Sequence, residues 1–228
     1  MDFSRMLSYT EALSKNNDRT WFHDNHREYE LAQEDFLMVL DVMKFVLAKD
    51  APTIGDMLLF ENPKNFMYRI PRDMRYSKNK TPYNPAFRAY LSPHKKDFLP
   101  LSYYLHISCD RCIIETGAWP WDAKQLNRLR EYIAYNYEEL DSIVEQNSLM
   151  VYGEMLKRTP RGFDADHPAA EWLKYKFYLT EYSFTPDDLH DLDTFAEAAG
   201  RAVRRFEPLR QFLMGAFDDK VYSDEIDL

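Results

Sequence analysis

The chain has two cysteines, Cys109 and Cys112, in 228 residues, too few for the disulfide framework on which small secreted domains depend. No window reaches the run of about 18 apolar residues that a membrane span needs. The opening Met1-Asp2-Phe3-Ser4-Arg5 places charge where a signal peptide carries its apolar core. The expectation is a cytoplasmic protein with no membrane contact. Glycine is scarce as well. Its six copies are nowhere closely clustered, so neither a Walker loop nor a dinucleotide-binding fingerprint can be written, and the Gly-x-Ser-x-Gly elbow of the hydrolases is missing. No Ser/Gly-rich linker and no repeat interrupts the chain, and a 45% hydrophobic composition suffices for one sizeable core. Residues 1–228 therefore read as a single domain.

Metal and redox signals are equally thin. Cys109-x-x-Cys112 is half a zinc or redox site, without a second pair of ligands, and Asp110-Arg111 between the cysteines suits a hairpin tip. His23, His26 and Glu30 share a face if one helix carries all three, but a solvated face is the commoner meaning of such a spacing. No metal and no organic cofactor is implied.

Positive charge is present, in one place. A net charge of −9 argues against general affinity for nucleic acid. Yet Lys64 to Lys96 holds nine Lys/Arg against a single Asp, a local +8 that leaves −17 for the remainder. Around this segment the hydrophobic period changes. Phe3, Met6, Leu7, Thr10 and Leu13 give a short helix, and Phe22, Tyr29, Phe36, Leu40, Met43 and Leu47 give a second of about seven turns. Residues 57–60, 65–70, 86–91, 101–108, 112–117 and 176–184 are short aromatic and β-branched runs between turn residues, the pattern of strands. Asp122 caps a further helix over Leu126 to Ile143, and Thr185-Pro186-Asp187-Asp188 has the form of a helix start. Helices, then strands, then helices indicate an α+β fold with an antiparallel sheet in the middle of the chain.

One string is specific: Arg69-Ile70-Pro71-Arg72-Asp73-Met74-Arg75-Tyr76-Ser77-Lys78-Asn79-Lys80-Thr81-Pro82-Tyr83. It resembles the signature of a bacterial family described as domain of unknown function 2461, the departure being Tyr76 where the family has Phe. The stretches 16–22, 156–163 and 166–176 are similar to the same family. The resemblance implies membership and brings no activity with it.

The residues themselves point to anion capture. Arg69, Arg72 and Arg75 are planar forks suited to bidentate contact with carboxylate or phosphate, Lys80 adds a point charge, and Tyr83 a hydroxyl. The arginines converge only if the chain turns after Pro71. Asp73, between two arginines, suits an orienter of guanidinium groups better than a general base. Arg158 and Arg161, beside Gly162, form a second candidate patch, and His167 is a candidate proton donor or helix cap. Two functional readings remain open: a pocket for a small phosphate- or carboxylate-bearing ligand, or a non-catalytic module docking an acidic partner or a nucleic-acid backbone. An Arg–Asp network that only ties a loop down is the structural alternative to both.

Overall fold

The computed structural model of the chain describes residues 3–73, 75, 78, 80–93, 99, 101–120 and 122–218. Met74, Tyr76, Lys95, Lys96, Trp121 and the acidic tail beyond Asp218 lie outside the described residues. The chain begins with α1 (Phe3–Lys15), α2 (Arg19–Asp24), α3 (His26–Asp50) and α4 (Pro52–Leu58). Strands β1 (Phe87–Leu91), β2 (Tyr103–Ile107) and β3 (Cys112–Ala118) follow, then α5 (Ala123–Tyr135), α6 (Tyr137–Gln146) and α7 (Ala170–Leu173), then β4 (Tyr178–Ser183) and α8 (Leu192–Gly215). The strands pair antiparallel in the order β1-β2-β3-β4, so the mid-chain sheet between N- and C-terminal helices is the α+β arrangement that the change of period indicated. Among the described residues no helix is long and apolar enough to cross a membrane.

Several local expectations change. The seven-turn helix is broken near its start: Asn25 leaves helical geometry and separates α2 from α3, with Asp18 accepting from Trp21 N at 2.9 Å to cap α2. His23 and His26 thus belong to different helices and do not share the face that the spacing suggested. Residues 57–60 complete α4 and its exit turn instead of forming a strand, because Pro52 at the first helical position starts a helix there. The stripe from Leu126 to Ile143 is two helices divided at Asn136. The last helix opens at Leu192. Asp191 caps it reciprocally with Thr194, while Asp188 folds back to accept from Thr185 N and Oγ1 at 2.9 and 2.8 Å. A local turn there consumed the Thr-Pro-Asp-Asp start signal.

β1 and β2 alternate strictly and give the sheet an apolar face, whereas Tyr178, Leu179 and Thr180 of β4 are all buried. Phe87, Ala89 and Leu91 of β1, Tyr103, Leu105 and Ile107 of β2, and Ile114 of β3 pack beneath α3 and the first half of α8. A second cluster joins Leu209, Phe212 and Leu213, in the last half of α8, to Leu129, Ile133, Leu140 and Leu173 and to Tyr178 of β4. α8 spans both clusters, and between them it carries a buried ion pair. Arg210 donates Nε to Glu207 Oε2 at 2.7 Å and Nη2 to Oε1 at 2.6 Å. Arg210 also donates to Leu101 O at 2.9 Å and Thr53 Oγ1 at 2.6 Å, and Tyr103 Oη donates to Glu207 Oε2 at 2.7 Å. The pair ties α8 to α4 and to the sheet, and every guanidinium nitrogen has an acceptor.

Breaking such a pair from one side strands a charge in the core, at a cost of about 3–5 kcal/mol. Arg210→Met is therefore expected to lower the urea unfolding free energy by that amount, and Arg210→Met/Glu207→Leu to recover most of it. A single variant within about 1 kcal/mol of the wild type would show that the pair does not hold the layers together.

Candidate functional site

The same alternation that fills the core sends a second set of side chains to the opposite, outer face. Register places Arg88 beside His106, Tyr90 beside Tyr104, Tyr104 beside Glu115, and Glu115 beside Glu181. All of these side chains are half-buried. Two extended segments widen the face. On the β1 edge Tyr68 N donates to Arg88 O at 2.8 Å and Tyr90 N to Phe66 O at 3.0 Å. On the β4 edge Tyr152 and Leu179 exchange backbone hydrogen bonds at 2.8 and 3.0 Å. The next residue, Gly153, lies so close that an added Cβ would come within 2.0 Å of Phe177 O. Tyr68 and Tyr152 stand at the two margins.

Arg88 is the cation of this face. Its guanidinium lies 5.5 Å from the Tyr68 ring centroid, within cation–π range. The Asn84 amide oxygen, turned toward it, accepts from Nη1 and Nη2 at 3.1 and 3.2 Å. Its Nε is buried and has no hydrogen-bond partner, and no carboxylate among the described residues pairs with it. Beside it, His106 Nδ1 contacts Tyr104 Oη at 3.2 Å and Nε2 contacts Ser108 Oγ at 3.1 Å. Ser108 Oγ spends its one hydrogen on Arg111 O at 3.1 Å. It therefore accepts from His106 Nε2–H, which leaves Nδ1 to accept from Tyr104 Oη–H. Burial, then the charges of Arg111 and Arg88, hold the imidazole neutral by lowering its pKa to about 4.

Carboxylates occupy the other half. Tyr152 Oη contacts Glu115 Oε2 and, at 2.8 Å, Glu181 Oε2, which also takes an ion pair from Arg111 Nη2. A phenol has one hydrogen to donate, so both contacts are hydrogen bonds only when one carboxyl is protonated. Arg111 pairs with Glu181 and not with Glu115. Burial raises the Glu115 carboxyl, with help from the charge of Glu181 and against the Tyr152 hydrogen bond and the charge of Arg111, which lower it.

The residues singled out in the sequence are distributed differently. The backbone stays extended through Pro71, which bridges Tyr83, and Arg72 N donates to Pro82 O at 2.9 Å. Residues 66–72 and 82–90 are the two sides of a long hairpin arm, and the turn expected directly after Pro71 is not there. Asp73 takes Arg75 in a two-pronged pair, Nε at 2.9 Å and Nη2 at 2.6 Å, which holds its carboxyl below the ordinary range, and both are exposed. Arg72 is half-buried with Nη1 at 3.4 Å from Thr81 Oγ1. Arg69 and Lys80 are exposed. Tyr83 belongs to the hairpin's anchorage: its ring stacks on Phe22 at 4.1 Å, and its backbone exchanges hydrogen bonds of 3.0 Å with the Asn17 amide. That accounts for the Asn-Asn and Trp-Phe stretch near the N-terminus. Arg158 and Arg161 are exposed around Gly162, whose φ of +99° suits glycine. His167 Nδ1 accepts from Ala169 N at 3.0 Å, a bond in the turn that precedes α7.

Sequence reading counted Arg88 among the nine cations without singling it out, and missed Tyr104, His106, Arg111, Glu115, Tyr152 and Glu181. The available signal was the polar member of each alternating strand pair, read as one face and not strand by strand. A surface groove of 520 Å³ between α3 and α8, lined by Phe45, Lys49 and Arg204, is a lesser candidate. Its floor is closed by the Arg204–Asp50 pair at 2.8 Å, and Asp50 Oδ2 would lie 2.7 Å from a Cβ at Gly200.

His106 gives the face a pH signature. The folded pKa of about 4 lies below the ordinary 6.5, so between these values the unfolded chain takes a proton that the folded one refuses, and stability falls as pH drops through that window. With solvent screening of a partly exposed ring, the loss is about 1–2 kcal/mol. His106→Gln is expected to flatten it in denaturant titrations from pH 7 to pH 4; identical slopes would refute the burial of a neutral ring.

No curated protein and no solved structure matches the chain. A match to a protein family does exist and takes in the hairpin arm, the whole sheet and most of α8. Over residues 5–212 the chain belongs to the family described as conserved hypothetical protein (DUF2461).

Proposed function

We propose that the protein binds a small phosphate- or carboxylate-bearing ligand on the outer face of the sheet, with Arg88 as its anchor and the cations of the hairpin arm at its margin. The observation that carries this reading is the half-buried Arg88 guanidinium, which has no carboxylate partner among the described residues of an acidic protein. Removing a cation from water costs free energy that a counter-ion returns, and Glu181 of the outer face and Asp73 of the arm are spent on other arginines, Arg111 and Arg75. The half-buried Arg72, whose Nη1 has a long contact with Thr81, is the hairpin residue best suited to assist.

Inorganic phosphate, sulfate and malonate are the probes. A ligand at about 100 times its Kd adds roughly 2.7 kcal/mol to stability, a rise in Tm readable by thermal shift. Arg88→Gln is expected to abolish the rise and Arg158→Ala, in an exposed turn, to leave it intact. If no probe moves the transition of the wild type, the reading fails. If Arg69→Ala abolishes the shift and Arg88→Gln keeps it, the anion sits on the exposed arm, which is the arrangement that a docking module requires.

A further inference from the structure

We propose that Glu115, Tyr152 and Glu181 form a proton-donating site, so that the protein hands a proton to the anionic ligand of the outer face instead of only holding it. The inference rests on the anion reading above and gives the face an acid–base activity. Its basis is the count of hydrogens. Tyr152 Oη touches Glu115 Oε2 and Glu181 Oε2, one phenolic hydrogen serves one of them, and Arg111 pairs with Glu181 and not with Glu115. The extra proton therefore resides on Glu115, the carboxyl that no arginine pairs with among the described residues.

The charged and titratable neighbours of Glu115 divide unequally. Glu181 on β4 repels a second negative charge, and Tyr152 on the edge segment reaches both carboxyl groups, so that its one hydrogen, which would favour a charged Glu115, is contested by Glu181. Arg111, at the β2–β3 turn, opposes the proton on Glu115, but its guanidinium is paired with Glu181 and acts on Glu115 only at a distance. Tyr104, opposite on β2, gives its own hydrogen to the neutral His106. When Glu115 loses its proton to a basic oxygen of the ligand, one O–H bond breaks and one forms. Two carboxylates then face a phenol with one hydrogen, and their repulsion draws a proton back from water to restore Glu115. β1 and β3 are two strand spacings apart and the two residues are offset by two in register, so Arg88 and Glu115 lie about 12 Å from each other across the sheet. A small metabolite with an anionic end and a reacting end fits that separation.

The test has two arms. In the first, the full chain labelled with 13C at the glutamate side-chain carboxyls is titrated by NMR from pH 4 to pH 9. One signal is expected to titrate above the ordinary range near 4.3, to vanish in Glu115→Gln, and to move back toward that range in Glu181→Gln. In the second, sulfate, which does not titrate here, is bound at the midpoint of that signal in buffers of different ionisation enthalpy. Calorimetry is expected to show proton uptake by the wild type and none by Glu115→Gln, with sulfate affinity kept within about threefold. The proposal is overturned if all glutamates titrate in the ordinary range, or if Glu115→Gln takes up as many protons as the wild type. A shifted Glu115 signal with no sulfate binding overturns the anion reading and leaves the shared proton standing. Circular dichroism establishes that the near-isosteric glutamine variants are folded.

Discussion

The alternation of β1 and β2, at the β1 side of the four-stranded antiparallel sheet, is the constraint on which everything else depends. Phe87, Ala89, Leu91, Tyr103, Leu105 and Ile107 face the helices, and the residues between them in the chain, Arg88, Tyr90, Tyr104 and His106, face outward. A slip of one residue would exchange the two sets. Each large apolar side chain returned to water costs about 1.5–3 kcal/mol, and Arg88 and His106 would enter the core without partners. The hydrophobic core thus fixes the candidate site as firmly as any contact within the site.

The helix layer enforces that register from the other side. Tyr103 ends on Glu207, Glu207 on Arg210, and Arg210 on Thr53 and Leu101 O. These bonds have direction as well as energy, so α8 cannot slide along the sheet without leaving buried charges unpaired. The face opposite carries the more labile groups: a neutral histidine, a carboxyl shifted upward and a guanidinium short of a counter-ion. Perturbed groups of this kind, gathered on a rigid element, are a physical mark of functional surfaces.

The basic hairpin arm has a double character. Its base is structural. Tyr83 is clamped by Phe22 and Asn17, Tyr68 braces Arg88, and Pro71 pairs with Tyr83. Asp73 and Arg75 satisfy each other in solvent, an exposed pair worth little to stability. Phe66 to Tyr68, just before the motif, hold the arm along the β1 edge. The concentration of cations there sets the electrostatic surroundings of Arg88, which is itself one of the nine.

By itself the sequence determined the class of fold, because the switch from a helical period to strand alternation and back is written in the order of apolar residues. β1, β2, β3 and β4 all lie within stretches that alternation marks, and Asp122 caps α5 as its type and place dictate. The helix boundaries that failed, at Asn25, Asn136 and Thr185, are places where polar side chains bond the local backbone and so compete with the helix. Only the tertiary structure decided the site. Arg88, Tyr104, Glu115, Tyr152 and Glu181 lie on five segments, and pairing register brings them onto one face. The meeting of Glu115 and Glu181 on one phenol, and the lack of a carboxylate beside Arg88 among the described residues, depend on burial and on which partner is in reach, quantities that exist only once the strands have paired.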